Sequence, residues 1–204
     1  IQPQSYLWVA LHRYGRTVTG VSVGVLFVTL HMVGSNNNMG RSKDMDAEYD
    51  ERNAANLAWL REAFALAKHN GNKAVMIIGQ ANPGFETTWA ELLQKRYMLG
   101  SLGLSPPKEK TPSGFDDFLA TLRELTLDFA KPVVYVHGDT HTFRIDKPLV
   151  DSTGKRFIEN FTRVETFGAP NTHWLRVSID AADPNVFRIR QEIVKANMAK
   201  HELE

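Results

Sequence analysis

The chain has 204 residues, of which 43% are hydrophobic and 23% are charged, and its formal net charge is +1. This composition is typical of a folded globular protein and argues against a disordered chain. Because no block of Lys and Arg stands out, the charge pattern does not predict a basic surface for binding nucleic acid. The chain has no cysteine, which excludes disulfides, thiolate metal sites and a cysteine nucleophile.

The most apolar stretch near the start covers residues 18–33. It is too short, and too often interrupted by Thr, Ser, Gly and His, to span a bilayer. Its Val-rich character predicts one or two buried strands, with residues 24–33 as the clearest. His31 falls inside this strand pattern, so we expect it to be structural.

A long helix is predicted next, over residues 46–72, where helix formers recur at helical spacing. Asp44 or Asp46 is expected to cap its start and Gly71 to mark its end. The short hydrophobic run that follows, KAVMIIGQANPGF, predicts a buried strand closed by an Asn-Pro-Gly turn.

A second helix and strand follow an insertion over residues 86–112, which we expect to hold a helix around residues 89–99 and a surface loop. Ser113 and Asp116 have the spacing of a capping box, which predicts the start of an amphipathic helix in GFDDFLATLRELTLDFAK. PVVYVHGD supplies the next strand. This alternation of strands and helices predicts an α/β fold with a mostly parallel sheet.

The tail of the chain has a different pattern. Residues 161–168, 173–180 and 185–194 read as strands, and the last two are joined by AADP as a hairpin. The remaining residues, 195–204, are polar, and we expect them to be exposed.

Three loops of the predicted sheet are rich in His, Asn, Gln and Asp: HMVGSNNN, GQANPG and HGDTHTFRID. Ligands of open α/β sheets gather at the carboxyl ends of parallel strands, where these loops lie. Imidazole and carboxylate groups suit Zn, Mn or Fe, which activate water and neutralise phosphoryl charge. The pattern therefore favours a metal-assisted hydrolase.

The succession TLHMVGSNNN, NLAWL, QANPGF and HGDTHTFRID resembles a variant bacterial subgroup of the calcineurin-like metallophosphoesterases. The resemblance covers residues 24–190, which correspond to the second half of that family's domain. It implies a metallophosphoesterase-like αββα sandwich that binds two divalent metal ions, Mn, Fe or Zn. In that family the metal ions activate a bridging hydroxide for attack on a phosphoester.

Three metal ligands follow from this resemblance. His141 matches the last His of the family's Gly-His-x-His element and would bind the first metal. Asp139 stands where the first His of that element would bind the second metal. Gln80 stands where a strand-end His would bind the same ion; because an amide oxygen is a weak ligand, Gln80 either binds that metal or supports the site as a hydrogen-bonding group.

The motifs of the family's first half are absent from the chain. No Asp-x-His precedes the first strand, no Gly-Asp occurs before Gly138-Asp139, and no Gly-Asn-His occurs anywhere. We therefore expect residues 1–204 to form a single but incomplete domain, with residues 86–112 as an insertion within it. The start at Ile1 rather than Met, and the lack of a clear pattern in residues 1–23, fit either a truncation upstream of this chain or a wrong reading frame at its start.

Four further residues are candidates for contact with the substrate or for support of the ligands. His137 either orients a ligand or is a satisfied core histidine. Arg144 either pairs with phosphate or faces solvent on a strand. Asn37, with its neighbours Asn36 and Asn38, either faces the substrate or forms a left-handed turn, and His173 would reach the site from a neighbouring loop.

The sequence leaves three functions open. The first is a metal-dependent phosphoesterase acting on a small-molecule or other phosphoester, with no nucleic-acid or membrane partner. The second is a catalytically inactive remnant of that fold. The third is a non-enzymatic α/β module whose polar strand ends bind a small ligand without metal.

Overall fold

A computed structural model describes residues 19–85, 101–102 and 112–199. Within these ranges no helix is long and apolar enough to cross a membrane. The helices are α1 (Lys43–His69) and α2 (Asp116–Phe129). The strands are β1 (Thr19–Ser22), β2 (Val25–Thr29), β3 (Ala74–Ile78), β4 (Val133–His137), β5 (Arg144–Asp146), β6 (Phe161–Glu165), β7 (Trp174–Ile179) and β8 (Phe187–Glu192).

Six strands form one sheet in the order β1-β2-β3-β4-β6-β5. Strands β2, β3, β4 and β6 are parallel, whereas β1 and β5 pair antiparallel with β2 and β6 at the two edges. The prediction of an α/β fold with a mostly parallel sheet is therefore confirmed. The carboxyl ends of the four parallel strands share one edge of the sheet.

Both faces of the sheet are covered, which explains why its central strands are nearly continuously hydrophobic. Leu26, Val75 and Val133 pack with residues of α1 and α2 in the larger core cluster. Their neighbours along each strand point the other way and pack against the antiparallel β7–β8 hairpin. The described residues thus form helices on one face of the sheet and a predicted, now confirmed, hairpin on the other.

The first predicted strand was too long. Strand β2 ends at Thr29, so His31 lies beyond it rather than inside it. After β2, Leu30 N–H still donates a hydrogen bond to Ile78 O of the neighbouring strand β3, at 2.9 Å. Both backbone groups of His31 then pair with the side-chain amide of Asn56 instead, at 3.2 and 2.7 Å.

The start of α1 also differs from the prediction. Its N-cap is Ser42, whose Oγ accepts from Met45 N–H at 3.2 Å. Asp44 and Asp46 lie in the first turn instead, where the positive end of the helix dipole stabilises acidic side chains. Gly71 follows the helix with a φ of +66°, so its predicted role at the helix end is confirmed.

Half of the predicted capping box forms at α2. Asp116 Oδ2 accepts from Ser113 N–H at 3.0 Å, but Ser113 Oγ accepts from Phe115 N–H rather than from Asp116. The N-cap position is Phe115, which has no side-chain cap. The helix predicted around residues 89–99, and nearly all of the insertion, lie outside the described residues, as do residues 200–204.

Candidate functional site

The three polar loops chosen from the sequence follow β2, β3 and β4, and they meet at the carboxyl edge of the sheet. A fourth loop, residues 166–173, follows the parallel strand β6 at the same edge. Hydrogen bonds join these loops to one another, so this edge is the candidate site.

The loop after β2 contains a left-handed turn. Ser35, Asn36, Asn37 and Asn38 have φ values of 55°, 59°, 55° and 69°. Asparagine tolerates this region better than most residues because its side chain can pair with nearby backbone groups. The interpretation of these asparagines as a left-handed turn is confirmed.

A buried arginine holds this turn in place. Arg52, with 2% of its side chain exposed, donates to Asn37 Oδ1 at 2.6 Å, to Asn37 O at 3.0 Å and to His31 O at 3.1 Å. Its Nε–H also donates to Glu48, and this contact lowers the pKa of that carboxyl. Asn37 is fully buried, and its Nδ2 donates to Gly114 O at 2.9 Å. Asn37 therefore supports the turn from a buried position, and its predicted contact with a substrate stays a prediction.

Gly34 brings together two of the predicted metal ligands. Its N–H donates to Gln80 Oε1 at 3.1 Å. A Cβ placed on Gly34 would lie 3.3 Å from Asp139 Oδ1, so the two side chains approach the same glycine from different loops. Asp139 Oδ2 in turn accepts from Asn82 N–H at 2.9 Å. Both Gln80 and Asp139 are exposed at the surface.

The loop after β4 has two left-handed residues, Asp139 with φ 79° and His141 with φ 62°. Such conformations cost energy and persist where the surrounding structure enforces them. Here the enforcing group is Glu165, which is fully buried at the end of β6. Its Oε1 accepts from Thr140 N–H at 3.1 Å and from the Thr140 hydroxyl.

The His141 side chain is held by the loop after β6. Its Nδ1 lies 3.0 Å from Ala169 O. A carbonyl only accepts, so Nδ1 carries the hydrogen, and in the neutral form of the ring the lone pair is on Nε2. The ring packs directly on Gly168, where a Cβ would come within 2.3 Å of His141 Cγ. The side chain is exposed, so a ligand can reach it.

His137 lies in the core and not among the exposed ligands. It is 1% exposed and stacks on Tyr135 with ring centroids 5.3 Å apart. Its Nδ1 lies 2.9 Å from Gly138 O, while Nε2 has no hydrogen-bond partner in the described part of the chain. Burial lowers the pKa of His137, which favours the neutral ring.

Arg144 and His173 have protein partners. Arg144 Nε donates to Glu165 Oε2 at 2.6 Å, so a phosphate would compete with a buried carboxylate for its charge. His173 packs edge-on against Phe167, and its Nδ1 accepts from Val194 N–H at 3.3 Å. The structure therefore gives both residues supporting contacts, and their substrate roles stay predictions.

The residues predicted as metal ligands are too few for two divalent ions. Across residues 19–85, 101–102 and 112–199, no group of three or more His, Cys, Asp or Glu residues could hold a metal. Of the three predicted ligands, Gln80 and Asp139 approach each other at Gly34, whereas His141 contacts Gly168 and Ala169 in the loop after β6. Three protein ligands with open positions for water suit a single catalytic ion such as Zn, Mn or Fe. A pair of ions needs more donors than these residues provide.

Two important residues were missed in the sequence, Glu165 and Gly168. Glu165 ends β6 and Gly168 lies in the loop after it, a part of the chain that the sequence pattern grouped with the tail rather than with the parallel strands. A signal was present, because Glu165 is a charged residue at the end of a strand pattern and resembles the other polar strand ends. Arg52 was also missed, since it stands on a helix among other charged residues.

Comparisons of the chain with protein-family models, with curated proteins and with solved structures gave no match. The evidence on function is therefore the chemistry and geometry of the site itself, together with the motif resemblance.

Proposed function

We propose that the protein is a phosphoester hydrolase that uses one divalent metal ion held by His141, Asp139 and Gln80. The observation that carries the proposal is the meeting of Gln80 and Asp139 at Gly34. The Nε2 lone pair of His141, in the same loop as Asp139, adds the third donor. A bound metal ion would lower the pKa of a water molecule and neutralise charge on the phosphoryl group.

The chain's own groups support this use of the three side chains. The Gly34 and Asn82 N–H groups bond to Gln80 and Asp139, and such hydrogen bonds commonly fix metal ligands in position. Each oxygen has a second lone pair for a metal. The Ala169 carbonyl fixes the tautomer of His141 in the way that zinc-binding histidines are usually held.

For the fold, we propose a metallophosphoesterase-like half-sandwich. Helices cover one face of the six-stranded sheet, and the β7–β8 hairpin covers the other. This order of layers agrees with one side of an αββα sandwich. The motif resemblance and the position of the polar strand ends support the same assignment.

A second candidate is a metal-free module that binds a small ligand. The observation in its favour is that Gln80 Oε1 and Asp139 Oδ2 each already accept a backbone hydrogen bond. In this case the exposed amide, carboxylate and imidazole groups would bind a polar ligand directly. The two candidates differ in whether metal is needed.

Hydrolysis of p-nitrophenyl phosphate by the metal-stripped chain tests the proposal. We expect turnover only after addition of Mn²⁺, Zn²⁺, Fe²⁺ or Mg²⁺, and loss of about 100-fold or more in His141→Ala and Asp139→Asn, which remove a ligand. His69→Ala and Asp44→Asn, at exposed positions of α1, serve as matched controls.

The other outcomes separate the alternatives. Metal binding without turnover of any phosphoester identifies an inactive remnant. Turnover that survives chelation, or that survives His141→Ala, contradicts the proposed hydrolase.

A further inference from the structure

A cavity of about 370 Å³ lies beside the candidate site. Three stretches of chain form its walls: the residues after β3, the start of α2, and the segment that follows β5. Polar and apolar groups both line it, and the apolar side chains include Pro83, Leu119 and Val150. The volume is at the lower end of the range for small-molecule sites, about 300–1,000 Å³.

Two of the cavity walls follow directly, along the chain, from residues that bond to the loops of the candidate site. Pro83 follows Asn82, whose N–H bonds to Asp139 Oδ2. On the other side, Ser113 lines the cavity next to Gly114. The Gly114 N–H donates to Asn36 Oδ1 of the left-handed turn at 2.9 Å. The hydrogen bonds of Asn82 and Gly114 therefore connect two walls of the cavity to the loops that carry Asp139 and Asn36.

Two charged side chains add polar groups to the apolar lining. Asp116 Oδ2 accepts from Ser113 N–H at 3.0 Å, which holds the carboxylate at the start of α2. Arg123 Nε–H donates to Val150 O at 2.7 Å, and a guanidinium has five N–H groups in all. A ring with an apolar face and one hydrogen-bonding edge matches this lining, because apolar walls bind ring faces and a few polar groups fix orientation.

We propose that this cavity binds the organic part of the substrate, and that this part is an aromatic or similarly sized cyclic group. The substrate class is then a phosphoester of a cyclic alcohol or phenol, rather than of a short alkyl chain. This inference rests on the proposed function, since the phosphoester would lie at Asp139 and His141.

Binding of 1-naphthol, which has no phosphate, tests the cavity apart from catalysis. The variants Leu119→Trp and Val150→Phe fill the cavity from α2 and from the segment after β5. If one variant fails to fold, the other still tests the cavity. Each is expected to raise the Kd of 1-naphthol about tenfold or more. Leu127→Trp is the matched control, because Leu127 lies two turns further along α2 and is 52% exposed; its Kd should stay within about twofold. No binding to the unmodified chain, or Kd values in both filled variants equal to that of the unmodified chain, overturns the proposal.

Catalysis gives the second readout. With metal present, kcat/KM for 1-naphthyl phosphate should exceed that for methyl phosphate, and Leu119→Trp should remove this difference while retaining methyl phosphate hydrolysis. If both phosphoesters react equally and Leu119→Trp changes neither, the cavity has no role in substrate choice. If naphthol binds as expected but neither phosphoester reacts, the proposed function fails while the cavity remains a site for cyclic organic molecules.

Discussion

The backbone N–H of Thr140 donates to the fully buried carboxylate of Glu165 at 3.1 Å, and the Thr140 hydroxyl donates to the same oxygen. This contact ties the loop after β4 to the end of β6. Thr140 stands between Asp139 and His141, the two left-handed residues. Fixing the middle residue therefore fixes both proposed ligands, through a carboxylate that lies outside their motif.

Glu165→Gln is expected to lower the free energy of unfolding by about 2–4 kcal/mol, because it removes the charge that pairs with Arg144 in a buried setting. The affinity for Mn²⁺ should fall as well, since Thr140 loses part of its anchor. Urea unfolding and calorimetric titration measure the two effects. Glu192→Gln is the control: it breaks surface ion pairs with Arg176 and Arg190 and should change little. Equal effects in both variants would refute the special role of Glu165.

Gly168→Ala tests the placement of the His141 ring. The added methyl group would overlap the ring, with 2.3 Å to Cγ and 2.4 Å to Cδ2, so the imidazole must move away from Ala169. We expect Mn²⁺ affinity to fall about 10- to 100-fold, as for other changes that disturb ligand orientation. Gly20→Ala is the control, because nothing lies within 4 Å of the new methyl group. An unchanged affinity in Gly168→Ala would show that the ring position does not matter for binding.

Arg52→Lys tests the buried support of the left-handed turn. A lysine ammonium cannot reproduce the fork that bonds to Asn37 Oδ1, Asn37 O and the Glu48 carboxylate. The free energy of unfolding should fall by about 2–4 kcal/mol, since buried acceptors lose their partner. Arg61 lies on the same helix and donates to the Thr121 hydroxyl. The variant Arg61→Lys should lower the free energy of unfolding much less. Similar urea midpoints for the two variants would contradict this assignment.

His137 predicts a dependence of stability on pH. Burial lowers its pKa in the folded chain below the ordinary value of 6.5, so the unfolded chain binds the proton more readily. The contribution of the neutral ring is therefore complete above about pH 6.5 and is lost as the pH falls below it. His137→Phe keeps an aromatic ring on Tyr135 and removes the titration. The stability of the unmodified chain should fall relative to this variant between pH 7.5 and 5.5, measured by urea unfolding; parallel pH profiles would contradict a lowered pKa.

Much of the fold follows from local sequence signals. The hydrophobic runs at β3 and β4 each predict a buried strand, and the amphipathic pattern of α2 predicts a helix. The alternation of these elements along the chain predicts a mostly parallel sheet. The N-cap of α1 was harder to predict than the helix itself, because Ser42, Asp44 and Asp46 are all good N-cap residues within one short stretch. Which of them caps the helix depends on where the chain turns, and that is decided by contacts beyond the local sequence.

The site was predictable only in part for the same reason. Strand ends with polar loops pointed to Gln80, Asp139 and His141, and the structure places all three in the loops of one sheet edge. The supporting groups, Arg52 and Glu165, are 15 and 25 residues from their partners Asn37 and Thr140. Pairings across such distances depend on the packing of whole elements, which no local pattern records.

The central claim, that His141, Asp139 and Gln80 hold one metal ion, is tested most directly by calorimetric titration of the metal-stripped chain with Mn²⁺. We predict one ion bound per chain, and an affinity lower by about 100-fold or more in both His141→Ala and Asp139→Asn, with a smaller loss in Gln80→Ala because the amide is the weakest donor. Absence of binding by the unmodified chain, or undiminished binding by His141→Ala, would contradict the claim.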